Sequence, residues 1–302
     1  MSGRPEYRVG TASWTDPTLL AAPFYPPAAK TAEARLRFYA QHFDTVEVDS
    51  TYYALPSERN AALWAARTPD GFRFNIKAFA WLTQHAAETR ALPQAIKARL
   101  LPACLREARV SQPPPDIRDL SFDMFRSALE PLRAAGKLGC ILLQFPPWFT
   151  ATPAHAEYVD ACRQRLPADR LAIEFRHSSW FQPDATRTLD FLAERRLSLV
   201  NTDAPAAPSI PAPPWVATSD IAYVRLHGRN RQAWFQREGT AAQRFKYLYT
   251  DAELGECAAR LTQMRTTSGA PARRAYVIFN NCYADYGVRN ALTLRALLRR
   301  AA

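Results

Sequence analysis

Eight apolar runs punctuate the chain, and each ends in polar or ionisable residues: YRVGTAS (7–13), TVEVDST (45–51), FRFNIKA (72–78), LGCILLQF (138–145), LAIEFRH (171–177), LSLVNTD (197–203), IAYVRLHG (221–228) and AYVIFNN (275–281). Runs rich in Val, Ile, Leu and Phe read as buried strands. Helical stretches separate them, over residues 31–43, 57–67, 117–136, 153–166, 183–196, 250–265 and 286–300. Thr31 is placed to cap the first, which carries Leu36, Tyr39, Ala40 and Phe43 on one face. Alternating strands and helices predict parallel strands joined by right-handed crossovers, and eight such units close into a (β/α)8 TIM barrel, one domain over residues 1–302. A doubly wound open sheet would usually carry a glycine-rich phosphate loop after its first strand, and GTASW has no GxGxxG.

Two connections are long. Residues 79–118 hold a helical stretch at 93–108 and then the proline-rich SQPPPD, and residues 204–220 carry five prolines, too many for a helix. Both follow strands, so both are expected over the barrel mouth as walls or lids.

Side chains alternate across a strand, so residues two apart share a face. Glu47 then goes with Asp49, Asn75 with Lys77, Glu174 with Arg176, Asn201 with Asp203 and Arg225 with His227. The residues between them, among them Val46, Val48, Ile76, Ile173, Phe175, Val200, Thr202, Val224 and Leu226, are nearly all apolar and suit the surface beneath outer helices. The polar set is therefore expected to point into the barrel. Ser13 and Gln144 end two further runs. Asn280 and Asn281 end the last, and the pattern leaves open which of the two faces inward.

This set mixes Glu47, Asp49, Glu174 and Asp203 with Lys77, Arg176 and Arg225, and His227 is titratable. A metal cage would not carry three cations, so a divalent metal on Glu47, Glu174, Asp203 and His227 is the weaker alternative and no cofactor is expected. Three cations suit an anionic group on a ligand, clamped by Arg176 and Arg225. Glu47, Lys77 and Glu174 are the candidates for catalysis, Glu174 as an ionised base and Lys77 as proton donor or amine nucleophile, with a Schiff base as a minor option. Asp49, Gln144, Arg176, Asp203, Arg225, His227, Asn280, Asn281, Trp14 and Tyr52 are candidate substrate contacts. A competing picture is a barrel plugged by ion pairs, each charge buried with a partner and no cavity left.

Trp14, Tyr52, Tyr53, Trp148, Trp180, Phe181 and Trp234 all follow strand ends, where aromatic rings stack on a ligand or simply floor the loops. His177 has the wrong parity for the interior and reads as a loop anchor. His85 lies in the first long connection, within reach of the mouth.

The chain has 302 residues, with 39 Lys and Arg against 28 Asp and Glu, a formal charge of +11. A basic balance attracts anions, nucleic acid included, but the arginines are spread along the helices instead of forming one tract. The five cysteines include no CxxC pair and read as reduced structural thiols, with Cys282 bordering the site. No apolar stretch approaches the roughly 20 residues of a membrane span, and MSGRPEYRVG lacks the apolar middle of a secretion signal. The expectation is a cytoplasmic protein without membrane contact; nothing indicates its oligomeric state.

Longer stretches go beyond periodicity: VGTASW with Phe24 to Pro26, FDTVEVDSTYYALP, Trp64 with TPDGFRFNIKA, TQH at 83–85, LLQFPPWF, AIEFRHSSWF, the Asp203–Ala204–Pro205 step, AYVRLHG, RFKYLYTDAEL and FNN. In this order they resemble the YecE-like family, catalogued as domain of unknown function 72, over residues 7–298. The resemblance implies a TIM barrel and no particular activity. At residues 85–118 the connection is longer and richer in Pro and Ala than the family pattern. The expected function is an enzyme acting on a small anionic substrate by acid–base chemistry at the C-terminal strand ends. The alternatives are a nucleic-acid binder or nuclease, and a non-catalytic scaffold with an ion-pair-filled barrel.

Overall fold

The computed structural model describes residues 4–205, 211–234 and 241–300. The eight runs form eight parallel strands: β1 (Glu6–Thr11), β2 (Thr45–Val48), β3 (Arg73–Lys77), β4 (Leu138–Gln144), β5 (Arg170–Glu174), β6 (Ser198–Asp203), β7 (Ile221–Leu226) and β8 (Arg274–Phe279). They pair in the order β1-β8-β7-β6-β5-β4-β3-β2. A parallel bridge between Ala12 and Glu47, with the Ser13 N–H donating to the Glu47 carbonyl at 2.8 Å, brings β1 against β2 and nearly closes the barrel.

That closing seam is narrow. A Cβ on Gly10 would meet the Thr45 carbonyl oxygen at 2.2 Å, so only glycine allows the two backbones to approach. Where the direct ladder fails, the fully buried Tyr39 inserts its hydroxyl. It accepts from the Thr11 N–H at 2.9 Å and donates to the Thr45 carbonyl at 3.2 Å. Tyr39 sits on the helix Ala32–His42, capped by the Thr31 hydroxyl as expected, which accepts from Ala34 N at 3.1 Å.

Apolar side chains form two layers. An inner set including Cys140, Leu142, Ala172, Val200, Tyr223, Tyr276 and Ile278 fills the barrel. A larger outer set lies between strands and helices, among them Glu58–Ala66, Pro115–Ala128, Pro153–Arg165, Thr186–Glu194, Asp251–Gln263 and Tyr286–Arg300.

The first long connection departs from expectation. The stretch 93–108 is not one helix but two short ones, Gln94–Lys97 and Pro102–Arg106. Pro102 lacks the N–H needed to continue a helix. Either side of them, Ala87–Glu88 and Arg109–Val110 pair as a small antiparallel ribbon.

The second connection corrects two expectations. Its described part, residues 204–205 and 211–220, contains no helix, as expected, but residues 211–220 run along the outer wall, where Ala217 bridges to Thr266; residues 206–210 lie outside the described residues. An extended segment in place of a helix leaves its backbone groups seeking partners. Asn201 supplies them, its amide donating to the Val216 carbonyl at 3.1 Å and its Oδ1 accepting from the Val216 N–H at 3.1 Å. Asn201 and Asp203 therefore face outward and Val200 inward, opposite to the expected parity of β6.

Tyr39→Phe would leave a buried donor and acceptor unpaired at the seam. It is expected to cost about 2 kcal/mol in urea unfolding with an unchanged m-value, whereas Tyr7→Phe, which loses a half-buried bond to the Leu261 carbonyl, is expected to cost less.

Candidate functional site

Strand parity brings Glu47, Lys77, Gln144, Glu174, Arg176, Arg225, His227 and Asn280 to the C-terminal pole, as the pairings of Glu47 with Asn75, Lys77 with Leu142 and Gln144 with Glu174 require. They form two layers with different chemistry.

The lower layer is closed. Arg225, 1% exposed, grips Glu47 in a fork, Nε to Oε2 at 3.1 Å and Nη2 to Oε1 at 2.6 Å, and gives Nη1 to Glu174 Oε2 at 2.7 Å. The Tyr223 hydroxyl donates to Glu47 Oε2 at 2.8 Å. Glu174 Oε1 accepts from Gln144 Nε2 at 2.8 Å and Arg176 Nε at 2.9 Å. Burial would raise the Glu174 pKa, but Arg225 and Arg176 outweigh it and hold the carboxyl well below its ordinary range. A carboxylate that stable is a poor base. Arg225, saturated by two carboxylates, is not free to clamp a substrate. Glu47, Glu174 and Arg225 spend their charge on one another, an arrangement that does not favour the base and clamp roles expected for Glu174 and Arg225. Tyr223 was missed, although it shares the parity of Arg225 two residues on.

The upper layer is open. Among the described residues the Lys77 side chain makes no hydrogen bond or ion pair; its ammonium lies 4.5 Å above the Tyr52 ring. Burial and the Arg225 charge lower its pKa to about 8. Asp49, just beyond β2, likewise has no side-chain partner, and burial raises it to about 6 against the pull of Lys77. His85 does reach this pole: its ring packs 5.2 Å from Tyr52, its Nδ1 pairs with Thr83 Oγ1 at 2.9 Å, and burial with the charges of Lys77 and Arg176 lowers it to about 4.

Asn280 is the inward member of its pair. Its amide donates to His227 Nδ1 at 2.9 Å, which puts the ring proton on Nε2. Burial holds His227 near 4, hence neutral, and Nε2 is buried without a hydrogen bond, 3.5 Å from Glu174 Oε1.

Three expected contacts lie elsewhere. Asp203 points outward to Arg229, at 2.9 Å, and the Tyr249 hydroxyl, at 2.8 Å. Asn281 ties the closing helix to the preceding loop, donating to the Tyr247 carbonyl at 2.8 Å and to Asn290 Oδ1 at 2.9 Å. Trp14 packs outside the barrel against Trp64 and Phe74, with ring centroids 5.9 and 6.4 Å away. Trp180 also belongs to the outer wall, stacked 3.8 Å from Phe175, and Phe181 packs beside that same ring. Trp234 instead lies 6.0 Å from the His227 ring. His177 anchors its own loop through Ser179, as expected.

The four residues weighed as metal ligands do not assemble. Asp203 faces away while Glu47 and Glu174 are taken by Arg225, and among the described residues no three His, Cys, Asp or Glu side chains are arranged to hold a metal. All five cysteines are free. Cys282 donates its S–H to the Ala12 carbonyl at 3.1 Å, and burial keeps the thiol well above its usual range.

Two stability measurements separate the layers. Arg225→Met strands two buried carboxylates and is expected to cost about 3–5 kcal/mol, much of it regained on adding Glu47→Gln and Glu174→Gln. Asp49 behaves oppositely. Its folded pKa of about 6 exceeds the ordinary 3.8, so the folded protein binds the proton more tightly. The resulting stabilisation is complete below the ordinary value and lost as pH rises through 6. Asp49→Asn is thus expected to stabilise by about 1–2 kcal/mol at pH 8, the partial exposure of the group reducing the full effect, and to do nothing near pH 3.

Comparison with known proteins places this arrangement in a family. The family model described as protein of unknown function DUF72 matches residues 8–302. The UPF0759 protein YunF of Bacillus subtilis (strain 168) is 29% identical over 280 residues, covering 90% of this chain and 88% of its own. A DUF72 family protein of Thermotoga maritima MSB8 superposes with a TM-score of 0.75 at 28% identity, over 97% of this chain and 99% of its own. Another, from Enterococcus faecalis V583, gives 0.74 at 25% identity over 97% and 95%. With both the sequence match and the barrel extending over nearly the whole chain, this protein belongs to the DUF72 family.

Proposed function

We propose that this barrel is an enzyme acting at its C-terminal pole on a small substrate that bears a phosphate or carboxylate. The observation that carries the proposal is the state of Asp49 and Lys77. They have opposite charge and lack polar partners among the described residues, and their pKa values are drawn toward neutrality, to about 6 and about 8. Structural ion pairs are matched and hydrogen-bonded, as the layer beneath is. Groups left unpaired and poised near pH 7 suit proton transfer. An ion-pair plug accounts for the lower layer and leaves the upper one unexplained.

In this reading the Asp49 carboxylate accepts a proton from the substrate, and the Lys77 ammonium donates one or steadies negative charge as it develops. Arg176, held through Nε to Glu174, keeps its terminal nitrogens for the anionic group, with guanidinium geometry suited to phosphate or carboxylate. His227, its tautomer set by Asn280, offers a neutral Nε2–H donor. No helix among the described residues is long and apolar enough to cross a membrane.

Exposed rings favour a second reading. Tyr53 and Trp148, 62% and 51% exposed, follow β2 and β4 and would stack unpaired bases. That reading needs a gel shift with single-stranded DNA or RNA that weakens steeply with salt, and no shift at low salt dismisses it.

A panel of phosphorylated and carboxylated metabolites tests the enzymatic reading. For a substrate that turns over, kcat/KM is expected to be bell-shaped, with limbs near pH 6 and pH 8. Asp49→Asn should abolish the acid limb and Lys77→Met the alkaline limb, each with a loss of at least about 100-fold. An unchanged profile in both variants overturns the assignment.

A further inference from the structure

At the other end of the barrel the strands begin, and arginines gather there. Arg73, Arg170 and Arg274 open β3, β5 and β8, and Arg8 lies near the start of β1. Their parity points inward: Arg170 pairs with Cys140 and Arg8 with Tyr276, both of them interior side chains. A cavity of about 600 Å³ opens at this pole. Pockets for small ligands span roughly 300–1,000 Å³. Five arginines (Arg73, Arg133, Arg170, Arg273 and Arg274) line it against only two aspartates, Asp169 and Asp220.

Counter-charge is short. Asp169 is consumed by Arg133, which donates Nε and Nη2 to its two oxygens at 2.7 and 2.8 Å. Glu6 is shared between Arg8, at 2.5 Å, and Arg274, at 2.6 Å. Among the described residues the Arg73 side chain donates only to the carbonyls of Asp70 and Phe72. Among the described residues, the exposed Arg170 and Arg273 have no side-chain hydrogen bond or ion pair. The Nε of Arg8, a residue only 7% exposed, is buried without a partner. Burial and the neighbouring Arg8 and Arg274 charges lower the pKa of Arg73, as expected where like charges crowd. In barrels of this kind the N-terminal face ordinarily serves stability. A pole built only for stability would pair its arginines, and among the described residues this one leaves Arg73, Arg170 and Arg273 without a carboxylate around a hollow.

We propose that this pole is a second, separate anion site that takes a small ligand carrying two or more linked phosphates. Guanidinium groups bind phosphate oxygens in forks. The excess of arginine over aspartate is better matched by a diphosphate than by a single phosphate. This site is independent of the chemistry at the mouth.

Calorimetric titration at low ionic strength with pyrophosphate and with orthophosphate tests it. One pyrophosphate per chain should bind, more tightly than orthophosphate. The double variant Arg170→Ala with Arg273→Ala removes two exposed side chains that lack partners, so its melting temperature should stay near the parent value while affinity falls at least tenfold. Lys77→Met should leave pyrophosphate affinity unchanged. No binding of pyrophosphate overturns the proposal, as does binding that survives the double arginine variant or is lost in Lys77→Met. Arginine-dependent binding of an oligonucleotide without any of pyrophosphate overturns the ligand class.

Discussion

A guanidinium almost sealed from water lies at the centre of this barrel, and most of the C-terminal pole follows from how it is neutralised. Burying Arg225 alone would be prohibitive, so two carboxylates must accompany it. Glu47 and Glu174 come from β2 and β5, so the triad spans the barrel and specifies how the strands sit relative to one another. Tyr223 and Gln144 complete the remaining oxygens. A network satisfied this fully is rigid, and it leaves its members little freedom for chemistry.

That rigidity gives the layer above its character. The Arg225 charge, together with burial, depresses Lys77, and burial raises Asp49. Among the described residues neither side chain finds a neutralising bond. Unpaired titratable groups above a locked ionic floor are a costly arrangement, of a kind tolerated at functional sites where preorganisation matters more than stability. His227 extends the pattern: its tautomer is set from behind by Asn280, and its free N–H is left buried. The two poles therefore differ in kind. One is balanced beneath and poised above, whereas the other crowds arginines around a cavity with too few acids.

Much of this was legible in the chain. Eight apolar runs became eight strands, and the alternating parity of TVEVD, AIEFR and YVRLH correctly aimed Glu47, Glu174, Arg176, Arg225 and His227 inward. It failed at LSLVNTD, because the rule assumes a helix covering every strand. Opposite β6 an extended segment takes that place and draws Asn201 outward to satisfy its backbone. Pattern reading also left Asn280 and Asn281 unresolved, which the pairing of β8 with β7 decides. Trp14 looked like a ligand platform from its position after a strand, yet a single step past β1 turns it onto Trp64 and Phe74.

Sequence alone determined the barrel and most of the ions that cluster at its mouth, Asp203 excepted, since hydrophobic period and side-chain alternation are local properties of the chain. Tertiary structure decided which of those ions are spent on one another and which remain available. Charge pairing depends on distances between strands far apart in sequence, such as the fork from Arg225 to Glu47 across 178 residues. A run of residues carries no record of those distances, so Glu174 and Asp49 look alike in the sequence and emerge with opposite pKa shifts in the fold.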